Sequence, residues 1–184
     1  MSRFEVRIAG QGGQGIVTAG VMIGRAASVF GGKNVTLMQS YGPESRGGAS
    51  KVEIIVSDEK IHYPNIRKPN VIAIMSQEAY RKNLEDLSGN AIVILDPEMI
   101  QEDPTNPAKN IYRVPATRIA EVLGRRMVAN IVMLGYLSSV TGVAGYESLK
   151  KAILSSVPKG TEELNSKAFE RGFQYGKETQ GSEP

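Results

Sequence analysis

The chain has 184 residues, 41% of them hydrophobic, which is the usual size of one domain and enough to bury roughly two thirds of the unfolded surface in one core. It contains no cysteine and one histidine, which excludes disulfides, cysteine-ligated zinc or iron–sulfur sites and histidine-rich metal sites. The net charge of +3 is too small for a nucleic-acid-binding surface, and no apolar run reaches the roughly 20 residues that span a bilayer. We therefore expect a cytoplasmic protein without nucleic-acid or membrane partners.

The first forty residues predict a strand, a glycine turn, a helix and a second strand. Residues 4–9 have the pattern of a strand that runs into glycines, and apolar residues then recur at helical spacing from Ile16 to Phe30. Gly31 and Gly32 end the helix, and residues 34–39 are short and rich in strand-forming residues. These elements form a βαβ unit, whose crossover is expected to be right-handed.

The middle of the chain continues to alternate strands with loops and helices. Residues 51–57 alternate between apolar and polar side chains, which predicts a strand with one solvated side at an edge of the sheet. Buried strands are predicted at 71–75 and 91–95 with a helix at 77–87 between them, and a short strand is predicted at 111–114.

The last third, from Thr117 onward, has helical patterns at about 117–123, 127–139, 146–156 and 161–175. The whole order predicts an α/β class, a three-layer Rossmann-like fold with a mostly parallel sheet, helices on both faces and an antiparallel edge strand. We expect a single α/β domain over residues 1–178 and a frayed polar tail over 179–184.

The glycine turn between the first strand and the first helix is the first candidate site. Gly10, Gly12 and Gly15 match G-x-G-x-x-G in the context where backbone N–H groups and a helix dipole hold a phosphate or another anion. A dinucleotide site also needs an acidic residue about 20 positions further on, and none occurs between Glu5 and Glu44. The turn therefore differs from an NAD site, and a tight turn without a ligand is the alternative.

Two glutamines and a second loop extend this candidate site. Gln11 and Gln14 offer amide donors and acceptors that a tight turn does not require, so we expect them to contact a ligand or a partner. The loop at 40–48 follows the carboxyl end of the second strand, where open α/β sheets place ligands, and so it is expected to face the glycine turn. Its Arg46 suits an anionic group, although a solvated arginine on an exposed turn is the alternative.

Other polar residues give weaker indications. His62 has no partner in a recognisable pattern and is interpreted as a turn histidine. Asp96, after a buried strand, is expected either to touch a ligand or to cap a turn or helix. Asn130 lies in a nearly all-apolar helix and is expected to be a hydrogen-bonded core or interface residue. The aromatic side of the last helix is expected to dock on the domain itself or to form a subunit interface.

Two motifs in order, Ile8 to Gly15 and Gln39 to Gly48, make the sequence similar to the gamma subunits of 2-oxoacid:ferredoxin oxidoreductases. The form Ser-Tyr-Gly-Pro-Glu-Ser-Arg-Gly-Gly resembles most the 2-oxoglutarate-type members, within a family that also includes pyruvate enzymes. The resemblance extends less specifically through Asp96-Pro97, the helix around Asn130 and the last helix.

The resemblance implies an enzyme that decarboxylates a 2-oxoacid on thiamine diphosphate and magnesium, passes electrons through iron–sulfur clusters to ferredoxin, and makes acyl-CoA from coenzyme A. It implies alpha, beta and ferredoxin-like delta subunits as partners, with this chain inactive alone, binding no cofactor or metal by itself and contributing no catalytic residue by itself. Apolar surface left by absent partners could also pair two copies into a homodimer.

The resemblance and the turn chemistry together give the residues expected to bind cofactor or substrate, or to contact other subunits: Gly10, Gln11, Gly12, Gly13, Gln14, Gly15, Ser40, Tyr41, Gly42, Pro43, Glu44, Ser45, Arg46, Gly47 and Gly48. Two alternatives stay open. One is a stand-alone Rossmann-like nucleotide-binding module or dehydrogenase, and the other is a purely structural subunit whose loops fit a neighbour without touching a ligand.

Overall fold

The computed structural model describes residues 3–42, 47–84, 87, 89–105, 108 and 110–180. Six strands are described: β1 (Phe4–Gln11), β2 (Asn34–Tyr41), β3 (Ala49–Ser57), β4 (Val71–Ile74), β5 (Ile92–Leu95) and β6 (Asn110–Arg113). The helices are α1 (Ile16–Arg25), which continues as a π-helical turn over Ala26–Phe30, α2 (Gln77–Asn83), α3 (Ala116–Val122), α4 (Ala129–Thr141), α5 (Tyr146–Leu154) and α6 (Glu162–Gln180), with a 3₁₀ turn at Arg126–Val128. None of these described helices is both long and apolar enough to cross a membrane.

The strands form one sheet in the order β2-β3-β1-β4-β5-β6. Strands β1, β4, β5 and β6 are parallel to one another, whereas β3 is antiparallel to both β1 and β2. The predicted mostly parallel, Rossmann-like α/β fold is confirmed.

The prediction that residues 51–57 form the edge strand is wrong, because β3 lies between β2 and β1. Val52 and Ile54 are fully buried on the face that packs under α1, while Lys51 and Glu53 are partly exposed on the other face. The alternation therefore reflects one lightly covered face of an interior strand. The predicted antiparallel edge strand is confirmed, but it is β2, which pairs with β3.

The two faces of the sheet are covered unequally. One face, with Val6, Ile8 and Ile54, packs into the main core against α1 and the helices of the last third. The other face holds a smaller core in which Ile72 and Leu95 pack against α2. The three predicted layers are thus present, with α2 the only described helix in this smaller core.

Helix α4 forms the centre of the main core, and α6 packs closely on it. All residues from Ala129 to Ser138 are buried, as the apolar pattern predicts. A Cβ added at Gly172 of α6 would lie 2.0 Å from the carbonyl oxygen of Val132, so these two backbones approach closely only because glycine is present. The aromatic side of α6 therefore docks within the chain, with Phe169 fully buried. Because α6 runs to Gln180, the start of the predicted tail is helical, and residues 181–184 lie outside the described residues.

Candidate functional site

The glycine turn connects the end of β1 to the start of α1 at the carboxyl edge of the parallel strands. Gly13 and Gly15 have φ angles of 95° and 72°, a left-handed conformation in which side chains are strained. Gly12 and Gly13 are exposed, and the first turn of α1 has no side-chain cap, so its backbone N–H groups are available at this edge. This is the environment that favours an anionic group.

The side chain of Gln14 holds the turn in place. Its Oε1 accepts a hydrogen bond from the Gln11 backbone N–H at 2.7 Å, and its Nε2 donates to the Met75 carbonyl at 2.7 Å. Gln14 therefore fastens the turn to the end of the neighbouring strand β4. The Gln11 side chain makes no hydrogen bond with another described residue, so its amide is the more available of the two.

The second loop lies directly beside the glycine turn. The Gly12 N–H donates to the Gly48 carbonyl at 2.8 Å, so the two loops that the sequence places opposite each other are joined by a backbone hydrogen bond. Ser40, Tyr41 and Gly42, at the end of β2, line a cavity of about 240 Å³ that Gly10 also lines. Pro43, Glu44, Ser45 and Arg46 were predicted to belong to this site and lie outside the described residues.

A second cavity of about 270 Å³ lies on the opposite side of the turn, between α1, α4 and the start of α6. Asn130 is buried there, and its Nδ2 donates to the Gly15 carbonyl at 3.2 Å, which confirms the prediction of a hydrogen-bonded core residue. The lining combines apolar side chains with hydroxyl and amide groups: Thr18, Met22, Ile131, Val157, Thr161 and Asn165. Such a lining suits a ligand that is mostly apolar and has a few polar atoms.

The segment before α4 separates this cavity from a third cavity of about 210 Å³. Met127 is 82% exposed and lines both cavities, as does Gly13. Arg125 lines the larger cavity and Arg126 the smaller one, which places two cations beside the uncapped helix start. The sequence patterns do not predict this segment, although two arginines shortly before a nearly all-apolar helix are a usable signal.

Asp96 is a structural residue in this arrangement. It is buried, its Oδ2 accepts from the Thr117 N–H at 2.7 Å, and its Oδ1 accepts from the Glu98 N–H at 3.0 Å. The carboxylate thus caps both the turn after β5 and the start of α3, which is the capping alternative of the two expectations. His62 is exposed on the loop between β3 and β4.

The described residues of this site supply several groups that are suited to binding. With no cysteine in the sequence, the chain has no thiolate ligands for an iron–sulfur cluster. In the described part of the chain, no group of three or more His, Asp or Glu side chains is placed to hold a metal ion. What the site does offer is backbone N–H groups, two arginines and cavities on either side of a rigid turn.

Comparison with known proteins gives consistent matches along the chain. The family model described as pyruvate ferredoxin/flavodoxin oxidoreductase matches residues 5–175. The chain is 47% identical to the 2-oxoglutarate synthase subunit KorC of Methanocaldococcus jannaschii over 178 residues, which cover 96% of this chain and 95% of that subunit.

Solved structures share the fold. The gamma subunit of a keto/oxoacid ferredoxin oxidoreductase from Geobacter sulfurreducens is similar with a TM-score of 0.85 and 38% identity, covering 97% of this chain and 98% of that one. The 2-oxoglutarate:ferredoxin oxidoreductase of Magnetococcus marinus has the same fold in 32% of a longer chain, with a TM-score of 0.84 and 22% identity. The fold thus occurs both as a separate subunit and as one part of a larger chain.

Proposed function

We propose that this chain, which belongs to the pyruvate ferredoxin/flavodoxin oxidoreductase family, is the gamma subunit of a 2-oxoacid:ferredoxin oxidoreductase. We propose further that the substrate of this enzyme is 2-oxoglutarate. Relatives of nearly the same length support a separate gamma subunit. The similarity to 2-oxoglutarate synthase subunits supports 2-oxoglutarate over pyruvate, since the pyruvate synthase subunit PorC of M. jannaschii is 32% identical. In this proposal the alpha, beta and delta subunits carry thiamine diphosphate, magnesium and the iron–sulfur clusters.

The contribution of this chain is to complete the wall of the shared active site and the approach of coenzyme A. The observation that carries this proposal is the backbone hydrogen bond between Gly12 and Gly48, which joins the two loops at the carboxyl edge of the sheet. The joined loops present N–H donors, and cavities lie on both sides of them. An anionic, partly apolar ligand such as coenzyme A suits the cavity that Arg125 and Asn130 line.

The experiment is a reconstitution of the complex from co-expressed subunits, assayed with a panel of 2-oxoacids and with varied coenzyme A. Arg46→Ala and Arg125→Ala are expected to raise the KM for coenzyme A about tenfold each, the loss of one charge-assisted hydrogen bond. Arg118→Ala is the matched control, since its side chain is 74% exposed and pairs only loosely with Glu98 at 3.8 Å. An unchanged coenzyme A dependence in both test variants would exclude this role of the loops.

Two alternatives are separated by simple measurements. A stand-alone dehydrogenase would bind NAD to the isolated chain with micromolar affinity, which calorimetric titration detects. The absence of any acidic residue from Val6 to Pro43 argues against it, because dinucleotide sites grip the ribose hydroxyls with such a residue. A purely structural subunit would lose assembly in Arg46→Ala or Gly13→Ala, whereas the proposal expects assembled complexes with altered coenzyme A dependence.

A further inference from the structure

The two edges of the sheet differ in how they are protected. Edge strand β6 has four residues, and its Arg113 makes a two-pronged ion pair with Glu102. Edge strand β2 has eight residues, Asn34–Tyr41, and none of them is charged or a proline. Among the described residues, no strand pairs with its outer side. Proteins normally protect a free edge with charges, proline or a short strand, because its unpaired N–H and C=O groups bind other strands.

Apolar side chains surround this unprotected edge. Eight large hydrophobic side chains are exposed in the described part of the chain, and five of them belong to β2 or to the helical stretch that packs on it. On β2 these are Met38 and Tyr41, which are 42% and 62% exposed. On the helical stretch they are Val21, Val29 and Phe30. The helix lies directly over the strand, since a Cβ added at Gly24 would be 3.6 Å from Val35. Because Val35 and Leu37 face the helix and side chains alternate along a strand, Met38 lies on the opposite face, beside its pairing partner Glu53. Apolar side chains therefore flank the free backbone edge on both faces of the sheet.

We propose that this surface, the outer edge of β2 with Val21, Val29, Phe30, Met38 and Tyr41, binds the same surface of a second copy of this chain. An antiparallel pairing of β2 with itself about a two-fold axis would join two six-stranded sheets into one of twelve strands. Because β2 has no charged residue, self-pairing brings no like charges together.

The size of the surface fits a reversible dimer. Eight residues at about 3.4 Å per residue give an edge about 27 Å long. With the helix layer about 10 Å from the sheet, the contact is about 20 Å deep and covers about 550 Å² on each copy, or about 1,100 Å² in total. This is near the lower limit of stable interfaces, so the dimer is expected to dissociate at micromolar concentrations.

The test uses the full chain at concentrations from about 1 to about 100 µM in sedimentation velocity, the range in which an interface of this size dissociates. The wild type is expected to show a concentration-dependent doubling of mass. Met38→Lys places a charge on the edge and is expected to sediment as a monomer. Its unfolding temperature is expected to equal that of the wild type at concentrations at which both are monomeric. Val122→Lys is the matched control, because Val122 is an apolar residue that is 82% exposed on α3, and this variant is expected to dimerise normally.

Single introduced cysteines can locate the contact between the two copies, because the chain contains no cysteine of its own that would interfere. Thr36→Cys, Met38→Cys and Ser40→Cys place the thiol on one face of β2. In an antiparallel pair, only a residue on the axis has its two Cα atoms within disulfide range, so an axis at Thr36, Met38 or Ser40 is expected to cross-link that variant alone. Tyr63→Cys, on the exposed loop beyond β3, is expected to remain monomeric under the same oxidation.

Three outcomes would overturn the proposal. The first is a wild-type chain that stays monomeric at the highest concentration. The second is a dimer that Met38→Lys leaves intact and that none of the three β2 cysteines cross-links, because it would place the contact elsewhere. The third is a wild-type chain that is monomeric alone but binds another subunit of the complex, when the Met38→Lys variant does not bind it. That subunit, and not a second copy of this chain, would then cover the β2 edge. The mass measurement requires no activity, so it is independent of the proposed function.

Discussion

The contact between Gly15 and Asn130 gives a quantitative test of how the glycine turn is held. An alanine Cβ at Gly15 would lie 2.3 Å from the Asn130 Nδ2, and the φ of 72° is itself strained for alanine. The left-handed conformation costs about 1.5 kcal/mol, and displacing Asn130 from its hydrogen bond costs about 1.5 kcal/mol more. Gly15→Ala is therefore expected to lower the free energy of unfolding by about 3 kcal/mol.

A double-mutant cycle separates the two contributions. Asn130→Ala alone is expected to cost about 1.5 kcal/mol, the loss of a buried hydrogen bond. Because that substitution also removes the atoms that clash, the double variant is expected to cost about 3 kcal/mol, about 1.5 less than the sum of the single changes. Gly13→Ala is the matched control, since its φ is 95° but an added Cβ meets nothing within 4 Å, so it should be additive with Asn130→Ala.

The assay is urea unfolding of the four proteins of each cycle, followed by circular dichroism. Additivity within about 0.5 kcal/mol for the Gly15–Asn130 pair would refute the reasoning, because the two residues would then not be in contact. Coupling of the control pair as strong as that of the test pair would refute it as well, because it would attribute the effect to a general loosening of the turn.

Three further changes test the packing and the electrostatics of the fold. Gly172→Ala forces a Cβ into the backbone of the facing helix and is expected to cost more than about 3 kcal/mol in urea unfolding, since neither backbone can move freely. Glu53→Ala removes the partner of the nearly buried Arg7, at 2.8 Å, and is expected to cost about 3 kcal/mol, whereas replacing both residues by apolar ones should cost less. Lys33 lowers the pKa of Asp58 from 3.8 to about 2. This pair therefore stabilises the fold above pH 3.8, and its contribution is lost as the pH falls through about 2. The difference in urea midpoint between the wild type and Asp58→Asn is expected to vanish below about pH 2.

Local sequence patterns predict much of the fold, and the predictions that are wrong fail for a non-local reason. The helical spacing from Ile16 to Phe30 correctly predicts one continuous helical stretch, and the all-apolar pattern around Asn130 correctly predicts a buried helix. The alternation in residues 51–57 correctly predicts a strand but not its neighbours, because a partly exposed face occurs in interior and edge strands alike. Strand order is set by which strands pair across the sheet, and no local pattern records it.

The candidate site, like the fold, is predictable from local sequence patterns only in part. The two loops were expected to face each other because each follows a strand at the edge where ligands bind, and Gly12 and Gly48 are indeed hydrogen-bonded. The sequence predicts that Gln14 contacts a ligand or a partner, and within the chain both ends of its amide form hydrogen bonds with the backbone. The exposed Met127 reaches the site only through the packing of α4 beside α1, so its position depends on the tertiary structure.

The position of β3 explains why the glycine turn, which matches the pattern of dinucleotide folds, lies beside a different element than it does in those folds. In a dinucleotide fold the strand beside the first one is parallel to it, and its carboxyl end presents the acidic residue to the ribose. Here the strand in that place is β3, which is antiparallel, so its amino end meets the turn and Ala49 pairs with Gln11. The residue that reaches Gly12 is therefore Gly48, through its carbonyl, and the second loop takes the place that an acidic side chain would occupy. An arrangement that presents loop backbone at this position is suited to contacts with another subunit or a shared ligand, and it leaves a ribose without its usual partner.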